Sequence, residues 1–170
     1  KISKSSYDFD RNINVKIVSP NFSLKDYSTQ SEIDQLKRLI QISDPEKNKK
    51  TLFIWPEGIF YESNLQNIVL YKNLFVDKFS ENHLILLGIN NFVYSEGLND
   101  KKYFNSLVIL NHELEILSVY NKVNLVPFGE FLPFEKILSK FGLKKITKGY
   151  NSFSAGDKRL TISLGKKFNE

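Results

Sequence analysis

Two short apolar runs limit what this chain can fold into. Thr51–Trp55 (TLFIW) and His83–Ile89 (HLILLGI) are apolar almost throughout, rather than at alternate residues. A strand of that kind is expected where both faces of a sheet are covered. Apolar residues at helical spacing fill Leu65–Phe79 between the runs, and an earlier strand and helix are predicted over Asn14–Ser19 and Ser28–Ile42. This alternation predicts an α/β fold.

The second half of the chain is expected to continue the sheet. Tyr103–Leu110 and Leu114–Tyr120 are strand-like segments with a short polar connection between them, which predicts a β-hairpin. Pro133 is suited to begin a short helix that ends near Phe141, and Lys158–Leu164 has the composition of a last strand. The whole pattern predicts a mixed sheet covered by helices.

Length and composition predict one domain with a hydrophobic core. The chain has 170 residues, of which 41% are hydrophobic and 14% aromatic. That is enough for one domain and too short for two comfortable ones. We expect residues 1–12 to be a poorly ordered lead-in and residues 13–170 to form the domain. The longest apolar stretches, such as Leu84–Ile89, fall far short of the ~18 residues that a membrane span needs.

Charge and cysteine content exclude several classes of function. The formal net charge of +5 comes mostly from lysines spread over the whole length, with arginine only at Arg11, Arg38 and Arg159. Because there is no basic stripe or aromatic stacking motif, no nucleic-acid partner is predicted. The sequence contains no cysteine, which excludes a disulfide, a thiolate metal site and a thiol nucleophile within these residues. No motif predicts a metal or another cofactor.

Glu57 is the first candidate for chemistry. It lies in the segment Trp55–Gly58 (WPEG), directly after a predicted buried strand, and ligands of α/β sheets bind at the carboxyl ends of strands. Pro56 cannot extend the strand ladder and therefore forces a turn. An aromatic, poorly solvated surrounding would suit the carboxylate to act as a general base near neutral pH. The alternative is an ordinary loop glutamate or a charge at a helix N-terminus.

Lys122 and Glu130 flank an apolar loop that follows the hairpin. Pro127 stiffens this loop and Gly129 is expected to be its hinge. A lysine held at a strand end can stabilise a developing oxyanion, although it can also be a surface lysine. Glu130 either holds Lys122 in position, or shares in proton transfer, or is the N-terminal charge of the helix that Pro133 begins.

The two histidines are weaker candidates. His83 begins an apolar strand and His112 lies in the hairpin turn, and neither has a carboxylate or thiol at a spacing that forms a known motif. Both are therefore predicted to be structural or solvated.

Several segments together resemble the nitrilase (carbon–nitrogen hydrolase) superfamily, and most closely its bacterial apolipoprotein N-acyltransferases. They are the strand before Pro20, WPEG at 55–58, YFNS at 103–106, YNKVNLVPFGEFLP at 120–133 and FSAG at 153–156. The order and separations of these segments fit that family over nearly the whole chain. WPEG alone is weak, whereas a lysine followed by LVPFGEF is much more specific.

The resemblance implies a nitrilase-like αββα sandwich and a Glu–Lys–Cys active site. By their motif positions, Glu57 is similar to the general base, Lys122 to the lysine that stabilises the oxyanion, and Glu130 to an accessory glutamate beside the site. The family's nucleophilic cysteine follows the Phe-Ser-x-Gly loop and one further strand, so we expect it beyond Glu170. The domain would then be incomplete at its C-terminus, and this chain alone would be inactive.

The resemblance also implies partners and a location. The acyl donor would be a phospholipid, and the acceptor would be the N-terminal diacylglyceryl-cysteine of an apolipoprotein. The domain would lie on the periplasmic side of the bacterial inner membrane, attached through segments that are not in this chain. A soluble nitrilase-type amidase and a non-catalytic interaction module are the alternatives.

Overall fold

The computed structural model describes residues 12–94, 101–134, 152–159, 161–162, 164 and 168. Within them, five strands form one sheet whose spatial order follows the chain. The first three strands are parallel to one another, and the last two join them antiparallel. This mixed sheet confirms the predicted α/β class. The strands are β1 (Asn14–Ile17), β2 (Thr51–Ile54), β3 (His83–Tyr94), β4 (Lys101–Leu110) and β5 (Ile116–Asn121).

Two helical segments connect β1 to β2, where one helix over Ser28–Ile42 was predicted. Helix α1 spans Leu24–Thr29 and helix α2 spans Glu32–Ser43. The break falls at Gln30, whose backbone is extended. Ser31 then caps α2, since its hydroxyl accepts a hydrogen bond from the Asp34 N–H at 3.2 Å.

The predicted helix over Leu65–Phe79 is a 3-10 helix, Leu65–Tyr71, followed by a short α-helix α3, Lys72–Val76. Leu65 and Ile68 are both buried. Residues three apart lie on the same side of a 3-10 helix. The apolar spacing therefore marked the buried side without distinguishing the two kinds of helix.

The strand bounds differ from the predicted ones at three ends. Strand β3 continues to Tyr94 instead of ending at Ile89, and β4 begins at Lys101 instead of Tyr103. Strand β5 begins at Ile116 rather than Leu114 because Leu114 has a φ of 62° and belongs to the turn. The predicted last strand, Lys158–Leu164, is not found, since none of its described residues is assigned to a strand.

The other terminal predictions lie largely outside the described residues. Pro133 and Phe134 are in a turn, and the remainder of the helix predicted to end near Phe141 is not described. The same holds for all but one residue of the predicted lead-in, 1–12.

Apolar residues pack against both faces of the sheet. On the face towards α2 and α3, the fully buried Phe53 meets Phe79 edge-on with ring centroids 5.2 Å apart. On the opposite face, Leu52, Leu84 and Ile109 are buried. Partly buried residues from the end of the chain pack against them, namely Ile162, Leu164 and Phe168. Both faces of the sheet are therefore covered, as the continuously apolar strand sequences predicted.

His83 has a structural position in this core. Its ring is fully buried, with Nδ1 accepting from the Ser80 N–H at 3.1 Å and Nε2 donating to the Glu46 carbonyl at 3.0 Å. Burial lowers the pKa of His83. His112 lies in the turn after β4.

We expect Phe53→Ala to lower the free energy of unfolding by about 3–5 kcal/mol, because it leaves a cavity among packed aromatic rings. Ile42→Ala is the matched control, since Ile42 is 45% exposed and its truncation should change stability by no more than about 0.5 kcal/mol. The buried Trp55 is the only tryptophan and reports unfolding in urea by its fluorescence. Equal effects of the two substitutions would contradict this description of the core.

Candidate active site

Glu57 lies just beyond the carboxyl end of β2. The pairing with β3 continues to Trp55, whose N–H donates to the Leu86 carbonyl at 2.9 Å, and a turn follows with Gly58 at a φ of +83°. The turn brings Glu57 over Gly88 of β3. A Cβ at position 88 would lie 3.2 Å from Glu57 Cγ, so the missing side chain makes room for the glutamate.

Lys122 directly follows β5 and is fixed through its backbone. Its N–H donates to the Asn105 carbonyl of β4 at 2.8 Å, and its own carbonyl accepts from the Gly156 N–H at 2.9 Å. The ammonium lies 3.0 Å from Oε1 and 2.9 Å from Oε2 of Glu130. Lys122 is thus oriented at both ends, while 38% of its side chain remains exposed.

A tight turn within the loop presents Glu130 to Lys122. The Glu130 N–H donates to the Val126 carbonyl at 2.8 Å, and the Val126 N–H donates back to Glu130 Oε2 at 2.8 Å. Within this loop the left-handed backbone conformation is adopted by Phe128, with a φ of 62°, and not by Gly129. A bulky residue rarely adopts this backbone conformation, and such strain is concentrated at functional sites.

The Glu130 carboxylate is held in its charged form. Burial would raise the pKa of Glu130, but hydrogen bonds from the Val126 N–H, the Asn105 amide and the Lys122 ammonium outweigh it and leave the pKa below its ordinary value. Only 14% of the side chain is exposed. Of the roles left open by the sequence, the geometry therefore favours Glu130 as the partner of Lys122.

Asn105 joins the two glutamates. Its Nδ2 lies 2.8 Å from Glu57 Oε1 and 2.6 Å from Glu130 Oε1. The sequence motif YFNS at 103–106 contains Asn105 but predicted no role for it. The available signal was its position beside Ser106 in the otherwise apolar predicted strand Tyr103–Leu110, because asparagine is depleted in strands.

The structure therefore brings all three predicted site residues into one cluster, Glu57–Asn105–Glu130–Lys122. The prediction of an aromatic, poorly solvated surrounding for Glu57 is wrong. The Trp55 ring points into the core, where its Nε1 donates to Ser43 Oγ at 3.0 Å, whereas Glu57 is exposed. In the described part of the chain, no group of three histidine, cysteine or acidic side chains is placed to hold a metal ion.

A separate cleft of about 630 Å³ lies between α2 and α3. Charged residues line it, among them Lys37 of α2 and Asp77 and Lys78 directly after α3. None of the predicted site residues lines this cleft. The size of the cleft alone does not indicate a reaction. The Glu57–Asn105–Glu130–Lys122 cluster, in contrast, combines carboxylates with a fixed cation.

These features define an α/β protein whose charged cluster lies at the carboxyl end of β2, beside the middle of β3. The chain matches no family model. It is similar to several curated proteins named apolipoprotein N-acyltransferase, which confirms the resemblance to these transferases.

Three of these relatives give the extent of the similarity. The protein of Rhodopseudomonas palustris is 27% identical over 162 residues, covering 90% of this chain and 30% of the relative. That of Brucella suis is 30% identical over 164 residues, covering 91% and 30%. That of Agrobacterium fabrum is 41% identical over 124 residues, covering 72% and 23%. The chain thus spans less than a third of the length of these relatives.

None of the helices in its described residues combines the length and apolar character needed to cross a membrane.

Gly156 offers a test of how Lys122 is positioned. A Cβ at position 156 would lie 2.2 Å from the Asn121 carbonyl oxygen, so Gly156→Ala must displace the backbone next to Lys122. We expect this substitution to cost about 1–3 kcal/mol of unfolding free energy. Gly129→Ala is the control, since its nearest new contact is 3.4 Å from a Val126 methyl group. A Gly156→Ala variant as stable as Gly129→Ala in urea unfolding would contradict this arrangement.

Proposed function

We propose that the chain is part of the catalytic domain of an apolipoprotein N-acyltransferase. Such an enzyme moves an acyl chain from a phospholipid to the N-terminal diacylglyceryl-cysteine of a lipoprotein. The observation that carries the proposal is the ion pair of Lys122 with Glu130, linked through Asn105 to Glu57. The names of the similar proteins support the transferase, and the cluster supplies a base and a cation for acyl transfer.

Glu57 is the proposed general base and Lys122 the proposed oxyanion partner. Glu57 is exposed at the strand end and can accept a proton from an incoming group. The Lys122 ammonium is partly exposed and held by Glu130, so its charge is fixed before reaction. Preorganised charge of this kind stabilises negative charge as it develops, without the cost of reorienting solvent.

The first half-reaction requires a thiol. The sequence contains no cysteine, so the proposed nucleophile belongs to the protein outside these residues. Glu57 takes the thiol proton, and the sulfur attacks the ester carbonyl carbon of the phospholipid. The carbonyl oxygen becomes an oxyanion facing Lys122. The intermediate collapses to a thioester, and the lysophospholipid leaves with the proton from Glu57.

In the second half-reaction, the α-amino group of the lipoprotein cysteine attacks the thioester. Glu57 takes a proton from the amine, and Lys122 again faces the oxyanion. Collapse forms the amide and releases the thiolate, which recovers its proton from Glu57. Two such steps replace one difficult displacement.

The loop between Lys122 and Glu130 offers an apolar surface for lipid chains. Val126 is 53% exposed and Phe128 is 45% exposed, while Phe134 beyond the loop is 78% exposed. With the half-buried Phe131, these side chains form the proposed lip of the site. In this proposal the complete protein lies in the bacterial inner membrane, with this domain on its periplasmic side.

The two alternatives predict different behaviour. A soluble amidase would use the same residues on small amides, and the transferase names of the relatives speak against it. A non-catalytic module would tolerate Glu57→Gln and Lys122→Ala without loss of function. Residues 13–170 would on our proposal be part of a carbon–nitrogen hydrolase domain.

We expect Glu57→Gln in the complete protein to slow formation of the thioester by about 10²–10⁴-fold, because a glutamine cannot accept the thiol proton. The rate is measured by mass spectrometry of the intact protein after mixing with phospholipid. Glu62→Gln is the matched control, because Glu62 is an exposed glutamate a few residues further along the chain.

The control should acylate at the wild-type rate. A wild-type rate for Glu57→Gln would exclude Glu57 as the base. The absence of any acyl adduct in a folded protein that contains its cysteine would exclude the covalent mechanism itself.

A further inference from the structure

Asn105 is shared by two carboxylates that would otherwise repel each other. Its Nδ2 is within hydrogen-bond distance of Oε1 of both Glu57 and Glu130, at 2.8 Å and 2.6 Å. An amide nitrogen carries two hydrogens. Asn105 can therefore donate one hydrogen bond to each glutamate, and both carboxylates can stay ionised.

The backbone holds this amide rigidly. Asn105 pairs with Asn90 across β3 and β4, and its carbonyl accepts the Lys122 N–H at 2.8 Å. One residue in the middle of the sheet is thus bonded to Lys122 through its backbone and to both glutamates through its side chain. A site residue on a strand is placed more accurately than one on a loop.

The hydrogen bonds make the two glutamates unequal. Oε1 of Glu130 faces Asn105 and Lys122, and Oε2 faces Val126 and Lys122. Glu130 is thus surrounded by donors and is poorly suited to accept a proton. Glu57 is exposed, and its Oε1 is bonded to Asn105. Its other oxygen, Oε2, is the one left for proton transfer.

We propose that Asn105 is a positioning residue that directs Oε2 of Glu57 at the reacting thiol and separates the base from the Glu130–Lys122 pair. This inference rests on the proposed function. Without the amide, Glu57 could rotate freely at the surface, and the proton acceptor would lose its orientation. A misplacement of about 1 Å can cost roughly 10²-fold in rate.

Two substitutions test the inference. Asn105→Ala removes both donors, and we expect thioester formation in the complete protein to slow about 10–100-fold. Asn105→Asp keeps the shape but brings a third carboxylate against Glu57 and Glu130. Its loss should be largest near neutral pH and smaller at acidic pH, where one bound proton restores a donor. Asn48→Ala is the control, since Asn48 is exposed in the turn before β2, at the other end of that strand from Glu57.

A second readout does not depend on catalysis. Removing the Asn105 donor should raise the pKa of Glu130 towards its ordinary value, because that hydrogen bond favours the charged form. Carboxyl ¹³C NMR of this 170-residue chain follows the titration of Glu130 in the wild type, Asn105→Ala and Asn48→Ala. A purely structural role for Asn105 would leave the titration of a still-folded variant unchanged.

The outcomes separate this inference from the proposed function. The inference is supported if Asn105→Ala reacts slowly and has a raised pKa at Glu130, while Asn48→Ala behaves like the wild type. A wild-type rate for Asn105→Ala, while Glu57→Gln is slow, overturns the inference and leaves the proposed function standing. A wild-type rate for Glu57→Gln overturns both catalytic roles. If the pKa of Glu130 is the same in Asn105→Ala as in the wild type, the hydrogen bond from Asn105 to Glu130 is contradicted.

Discussion

The contact on which the site depends is the bidentate ion pair between Lys122 and Glu130. Without Glu130, the lysine would be a mobile cation on a long side chain. With it, the ammonium is fixed at 2.9–3.0 Å from both carboxylate oxygens. A surface ion pair contributes little to stability. Its importance here is geometric, because it links the end of β5 to the loop and, through Asn105, to Glu57.

The sheet supplies the frame for that contact. Strand β2 delivers Glu57, β3 provides the space at Gly88, β4 carries Asn105 and β5 delivers Lys122. The later segment 152–156 lies against the site and is bonded to it through the backbone. The Phe153 N–H donates to the Glu130 carbonyl at 2.8 Å, and the Gly156 N–H donates to the Lys122 carbonyl at 2.9 Å. Residues far apart in sequence thus become one rigid cluster, which suits chemistry that needs charge placed in advance.

Periodicity and turn residues predicted the class of fold and the ends of the strands where Glu57 and Lys122 lie. They did not predict that Trp55 would point away from Glu57, because burial beyond a strand end depends on which way the turn at Gly58 leaves the sheet. The role of Asn105 also escaped prediction, since it depends on the register between β3 and β4. Helical spacing could not distinguish a 3-10 helix from an α-helix over Leu65–Tyr71, as both bury residues three apart.

We propose that Lys122 faces the carbonyl oxygen of the acyl group while Glu57 faces the sulfur that attacks it. The most direct measurement is a structure of the complete protein trapped as its thioester. We expect the thioester oxygen about 3 Å from Lys122 Nζ, with Oε2 of Glu57 turned towards the sulfur and Oε1 still bonded to Asn105. A thioester whose oxygen lies beyond hydrogen-bond reach of Lys122, or a sulfur on the far side of the sheet from Glu57, would contradict the proposed roles of these two residues.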